Sequence, residues 1–285
     1  MDKVAIVTDS LACVPKDQAE ELGIFVVPSS VTIKDRVYHD GIDISPSEVY
    51  DLQRKSKVLP TTSAASPGEF LNIYTSAAEK ADSILHVCIT PKLTMTYDAA
   101  TRAKEMARES LPNTRIEILD TSTAAGAQGF LAMAAARVAI AGGDIAEVTD
   151  AVRKLIPRIQ LYVTVDTLYF LSKGGRVPKV AAWATSLLSI KPILQISNGQ
   201  ATPVERVRTK PRAMNRLIQI MREKVGQKPV HVNLMHAGVP DEAEELKKKI
   251  SDQFDCAELY ITEFSPVMGA HTGPGLIGFA FYNDE

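Results

Sequence analysis

The chain reads as an α/β protein with two domains: a parallel-sheet, three-layer N-terminal domain over residues 1–157, and a second α/β domain with a mixed or antiparallel sheet over residues 158–285. Three observations predict this. The 285 residues, 45% apolar and 23% charged, suffice for one large domain or two modest ones. As far as residue 120, short β-branched runs alternate with helix-length segments, the pattern of parallel strands joined by crossover helices. Beyond Pro157 the style changes to many strand candidates with only two long helices among them.

Taken in order, Lys3 to Thr8 (KVAIVT) is a short β-branched run ending in the turn-forming Asp9-Ser10, and predicts a buried strand. A helix follows from Pro15, with Gly23 as its stop. Gly23 to Pro28 is the next strand, and Val31 to Val37 adds an edge hairpin. Ser45-Pro46-Ser47-Glu48 places Ser45 at an N-cap, Pro46 at the first helical position and Glu48 three residues after the cap. Ser66-Pro67-Gly68-Glu69 repeats the pattern, so two helices start here. Ser83 to Ile89 and Arg115 to Leu119 are strands separated by a helix through Ala99 to Glu109. In such a sheet ligands bind beyond the carboxyl ends of the strands.

Two consecutive helices, Ala124 to Ala141 and Ile145 to Ile156, lead to the domain boundary near Pro157. Strands are expected at Gln160 to Val165, Pro192 to Ile196, Ala201 to Val207, Val230 to Met235, Ala257 to Glu263 and Leu276 to Tyr282. Helices are expected at Pro211 to Val225 and Asp241 to Phe254. No internal repeat or low-complexity linker interrupts the chain.

Composition excludes several functions. A net charge of −2 sets up no global field for nucleic acid or anionic membrane. The three cysteines, Cys13, Cys88 and Cys256, are odd in number and form no CxxC or Cys/His cluster, which argues against a disulfide framework or structural zinc. The start of the chain carries no signal-peptide pattern, and the Phe130 to Ala141 apolar run, broken by Arg137, is too short to span a bilayer. These features predict a cytoplasmic protein without stable membrane insertion.

The motif search is mostly negative. Gly273-Pro274-Gly275-Leu276-Ile277-Gly278 matches GxGxxG literally, but a dinucleotide site needs a strand before it and a helix after it, and here a strand follows. There is no Walker A sequence, GxSxG elbow or HExxH. His231 and His236 are five apart in one strand and face opposite sides, so they cannot share a metal. His86 and Cys88 share a face inside a buried strand, where core packing accounts for them. The positive signal is hydroxyls: Thr61-Thr62-Ser63 before a capped helix, Thr94, Thr96 and Tyr97 after one strand, and Thr121-Ser122-Thr123 after another. One such cluster is ordinarily a set of caps and turn bonds. Three at the same sheet edge predict a polar pocket.

These residues carry a resemblance. Val7-Thr8-Asp9-Ser10, Thr62-Ser63-Ala64-Ala65-Ser66-Pro67, Leu93-Thr94-Met95-Thr96-Tyr97, Leu119-Asp120-Thr121-Ser122, Leu171-Ser172-Lys173-Gly174-Gly175-Arg176, Lys191-Pro192-Ile193-Leu194 and Gly269-Ala270-His271-Thr272-Gly273-Pro274-Gly275 resemble, in order, motifs of the DegV family. The match runs from about residue 3 to 281. It implies two α/β domains with one long-chain fatty acid such as palmitate held between them, no cofactor and no catalysis by the chain itself. It further implies a partner fatty-acid kinase that converts the bound acid to an acyl phosphate. Matched by motif, the carboxylate ligands are Thr62, Thr94 and His271, with Ser63, Thr96 and Gly269 as further pocket residues. Two departures stand out: Met95 occupies a position where the family has glycine, and Ala64-Ala65 replaces Gln-Pro.

Chemistry supports such a site. Burying methylenes is worth about 0.8 kcal/mol each, so the tail dominates affinity. A buried carboxylate needs hydrogen bonds to stay ionised, which two hydroxyls and an imidazole can supply. A protonated His271 would add a counter-charge. Residues 201–225 also hold seven bases against two acids, a net of +5. This cluster is either a solvated helix face or a docking surface for an acidic partner, with Arg176 and Arg208 as its partner-binding residues and Lys179 completing it. The competing function is a small-molecule transferase or hydrolase using the hydroxyl cluster and His271. Nucleic-acid binding finds no recognition motif.

Overall fold

The structure is a computed structural model that describes residues 3–56, 59–177 and 190–284. The first part of the chain runs β1 (Val4–Asp9), α1 (Lys16–Glu21), β2 (Phe25–Val27), β3 (Ser30–Ile33), β4 (Arg36–His39), α2 (Pro46–Ser56), β5 (Thr61–Ser63), α3 (Pro67–Ala78), β6 (Ser83–Cys88), α4 (Thr96–Ser110) and β7 (Arg115–Asp120). It continues through α5 (Ala125–Ile140), α6 (Ile145–Leu155), β8 (Gln160–Thr164), α7 (Tyr169–Gly174), β9 (Lys191–Ser197) and β10 (Gln200–Val207). The last elements are α8 (Lys210–Val225), β11 (Val230–His236), α9 (Pro240–Ser251), β12 (Cys256–Glu263), α10 (Pro266–Thr272) and β13 (Ile277–Asn283).

The expected parallel sheet forms in the order β2-β1-β6-β7, with Val4 opposite Ser83 and Ser83 opposite Arg115. Its central strand β6 is buried at every residue, as a parallel strand covered on both faces must be. Helices α3 and α4 cover one face through Phe70, Tyr74, Ala100 and Ala103. Both Ser-Pro starts are real. Ser66 accepts from the Glu69 N–H while Glu69 accepts from the Ser66 N–H, and Ser45 and Glu48 exchange the same pair of bonds.

The second sheet has the order β10-β9-β8-β13-β11-β12 and is mixed, with β11 and β12 its parallel pair. Its outer face packs on α8 and α9 through Leu217, Met221 and Leu246. Between the two sheets lies α5, whose residues from Ala125 to Met133 are all buried. One continuous core joins Leu85 and Val87 of the first sheet, Phe130 and Leu131 of α5, and Leu161, Val163 and Ala280 of the second. The layers therefore alternate helix, sheet, helix, sheet, helix. A helix that is apolar all round suits only such a central layer.

Three elements differ from expectation. The Val31 to Val37 hairpin does not edge the parallel sheet: β3 pairs with β4 and β5 in a separate three-stranded antiparallel sheet, which makes a strand of Thr61–Ser63. The short helices α7 and α10 form in stretches to which the strand and helix pattern assigns no element. The GxGxxG run leads into a strand, β13, as expected. Gly275 has φ +92° and a Cβ there would fall 2.1 Å from Asp166 Oδ2. That carboxylate pairs with Lys191 at 2.9 Å and Lys210 at 3.3 Å, so the glycine makes room for an ion cluster rather than a pyrophosphate.

Candidate functional site

A cavity of about 900 Å³ lies between the carboxyl ends of β1 and β6 and the inner face of the second sheet. Leu11 and Ile89 line it from the first sheet, Leu161, Val163 and Leu194 from the second. The last three are inward-facing strand positions, Leu11 and Ile89 follow the ends of β1 and β6, and together they make its body apolar. The size is that of a site for one small molecule.

Its polar residues come from three separate elements. Thr62 and Ser63 lie on β5, Thr94 on the loop before α4, and His271 in the last turn of α10, and all four line the cavity. The Thr62 hydroxyl and His271 Nε2 are 2.7 Å apart and hydrogen-bonded. Thr94 Oγ1 lies 3.0 Å from the hydroxyl of Thr96. His271 Nδ1 rests against Gly174 of α7, where a Cβ would approach it to 2.9 Å, so a side chain at 174 would displace the ring.

Burial, and secondarily the charge of Arg176, push the His271 pKa down to about 4. The imidazole is thus neutral at neutral pH, not the counter-charge that a protonated histidine would offer. The positive charge beside His271 is Arg176, on the cavity wall beyond the left-handed Gly175, where its Nη1 donates to Gly174 O at 2.7 Å; Lys92 lines the cavity too.

Several expected residues fall elsewhere. Thr96 is fully buried beneath Thr94 and bonds it without lining the cavity. Gly269 packs on Tyr50 of α2 instead. Thr121 spends its hydroxyl on Cys88 O, and Ser122 O accepts the Gly199 N–H, so that third cluster makes turn bonds and not pocket. Met95 reaches the cavity rim but is 65% exposed, so it leaves Thr94 facing the cavity.

Part of the basic cluster is paired with acids: Arg216 with Glu205 and Glu223, and Lys210 with Asp166 and Glu242, while Arg222 donates to the uncharged amide oxygen of Gln253. Arg208 is exposed at the end of β10, and Lys179 lies outside the described residues. Asp9, His86 and Cys88 form a buried group of potential metal ligands within 4.8 Å. Both Asp9 oxygens are engaged, by Leu11 N, Ile89 N and Gln128, and His86 Nδ1 bonds the Tyr74 hydroxyl, while His86 Nε2 has no partner among the described residues.

Reading the sequence missed α10 as an element and the proximity of Arg176 to His271. Ser265-Pro266 is a third Ser-Pro start, and Ser265 Oγ accepts from Met268 N as an N-cap should. It lacks the glutamate of the other two and meets Gly273-Pro274 within two turns.

Comparison with known proteins shows the family and the fold. The family model described as uncharacterised proteins of the DegV family matches residues 3–284. A DegV domain-containing protein of Streptomyces coelicolor is 38% identical over 278 residues, 96% of each chain. A fatty-acid-binding DegV family protein from Thermus thermophilus superposes with a TM-score of 0.91 at 29% identity, covering 99% of this chain and 100% of that one. DegV of Bacillus subtilis, described as a fatty acid binding protein, gives 0.90 at 28% identity with both chains fully covered. Among the described residues no helix is long and apolar enough to cross a membrane.

Proposed function

This chain belongs to the DegV family, and from that premise we propose that it binds one long-chain fatty acid in the cavity and presents the carboxylate to a fatty-acid kinase. The observation that carries the reading is a cavity of about 900 Å³ with an apolar body and a polar lining that includes Thr62, Thr94 and His271. A tail of about fourteen methylenes contributes on the order of 11 kcal/mol before the costs of binding. The polar wall sets register: hydroxyls and a neutral imidazole donate to the carboxylate, while the exposed Arg176 beside it is left to face the partner. On this reading the kinase transfers a phosphoryl group to a carboxylate oxygen, and the carrier works in the cytoplasm without a cofactor or catalysis of its own.

A hydrolase reading would use Thr62 as nucleophile and His271 as base. Such a base is normally oriented by a third group, and among the described residues no carboxylate pairs with His271. That weighs against it. The test is organic extraction of folded protein purified from a bacterial host, followed by mass spectrometry. We expect one acid per chain, of about sixteen to eighteen carbons by the methylene arithmetic. A clean extract together with no uptake of added palmitate would sink the carrier reading.

A further inference from the structure

Helix α2 offers one face to a distant part of the chain. Tyr50, Gln53 and Arg54, spaced i, i+3 and i+4, all donate to backbone carbonyls of the C-terminal region. Tyr50 Oη donates to Phe264 O at 2.7 Å, and Arg54 to Gly238 O. Gln53 Nε2 donates to Gly269 O at 3.1 Å and Ala270 O at 3.4 Å. Gly269 and Ala270 are the two residues immediately before His271. Tyr50 is 0% and Gln53 2% exposed.

Backbone chemistry explains the glutamine. In α10 the carbonyl of Gly269 accepts the N–H of Gly273. The next carbonyl, Ala270, would take the N–H of residue 274, but residue 274 is proline and has none. Gln53 supplies the missing donor inside a buried interface. Its own Oε1 finds no partner among the described residues, a cost that an apolar side chain would avoid. Tyr50 sets the depth of the same turn, because a Cβ on Gly269 would lie 2.4 Å from its Cε1.

We propose that Gln53, supported by Tyr50, is a positioning residue that holds the His271 turn so that the imidazole meets Thr62 and the ligand carboxylate. The proposal rests on the fatty-acid reading above. Its test compares palmitate with hexadecanol, which shares the tail and lacks the carboxylate, in wild type, Gln53→Met and His271→Ala. The readout is the ratio of the alcohol Kd to the acid Kd.

His271→Ala should lower that ratio about tenfold, the size of one charge-assisted bond. Gln53→Met should lower it comparably, with hexadecanol affinity within about threefold of wild type. A wild-type ratio in folded Gln53→Met, or an equal loss of both ligands, overturns the positioning role while leaving the fatty-acid reading intact. A ratio that His271→Ala itself does not move overturns the head-group assignment and the proposal with it. Should Gln53→Met not fold, Tyr50→Phe, which deletes a single oxygen, is read by the same ratio.

Discussion

Thr94 places one oxygen on the cavity wall and anchors it locally: Oγ1 bonds the Thr96 hydroxyl and accepts the Thr96 N–H at 3.4 Å. Those local bonds are turn bonds, worth about 1 kcal/mol to the fold. Thr94→Ala is therefore expected to lower palmitate affinity about tenfold while costing the fold only about 1 kcal/mol. Thr94→Ser keeps the oxygen and should bind nearly as wild type. Equal affinities for wild type and Thr94→Ala in a titration with fluorescent or radiolabelled acid would place the carboxylate elsewhere. At this scale the sequence was informative. Thr62, Thr94 and His271 were singled out through the resemblance to DegV motifs, since hydroxyls at strand ends and a loop histidine by themselves read as turn bonds. Thr96 and Gly269 belong to the same motifs, but whether a side chain faces a cavity or supports its neighbour depends on packing that spacing does not encode.

At the scale of elements, α10 is held at both ends. Gln53 takes its last turn, and Asp40, just after β4, takes its first. Asp40 accepts from Ser10 Oγ at 2.7 Å and from Val267 N at 3.3 Å, and it is 3% exposed. Burial outweighs these bonds and pushes the Asp40 carboxyl up from 3.8 to about 6. Because the folded pKa lies above the unfolded one, this group's contribution is fully present below about pH 4 and is lost as pH rises through about 6. The shift corresponds to roughly 3 kcal/mol. Asp9 is raised to about 6 by its own burial and acts in the same direction. Denaturant melts of Asp40→Asn between pH 4 and 7 should therefore show a flatter decline than wild type. Identical slopes would mean that Asp40 titrates normally. The long elements and both Ser-Pro-x-Glu starts were legible because propensity, capping and periodicity agree over many residues. The short β5, α7 and α10 were not, since elements of this length are stable only against their tertiary neighbours.

For the molecule as a whole, the proposed function requires a face where a partner meets the carboxylate. Arg176 stands on the cavity wall beside His271 and is also exposed, while Arg208 is exposed at the end of β10. Under the proposed function, Arg176→Ala and Arg208→Ala should each retain lipid and melt near the wild-type temperature. Acyl-phosphate formation with a fatty-acid kinase should fall about tenfold or more and depend more weakly on salt. An Arg176→Ala protein that emerges empty would move that arginine from the partner to the carboxylate. Undiminished turnover in both variants would place docking on another face.

Alternation of strands and helices and the change of pattern after Pro157 were enough to establish the α/β class and the two kinds of sheet, and the ordered motifs pointed to residues that line the cavity. These are local or one-dimensional properties, carried by propensity, caps and spacing. Tertiary structure alone decided that α5 lies between the sheets, that Asp166 rather than a nucleotide demands Gly275, and that His271 is neutral beside Arg176. The same holds for the pairing of Gln53 with the carbonyl left open by Pro274. Each of these depends on burial and on partners tens to hundreds of residues away, and desolvation and steric contact act through space rather than along the chain.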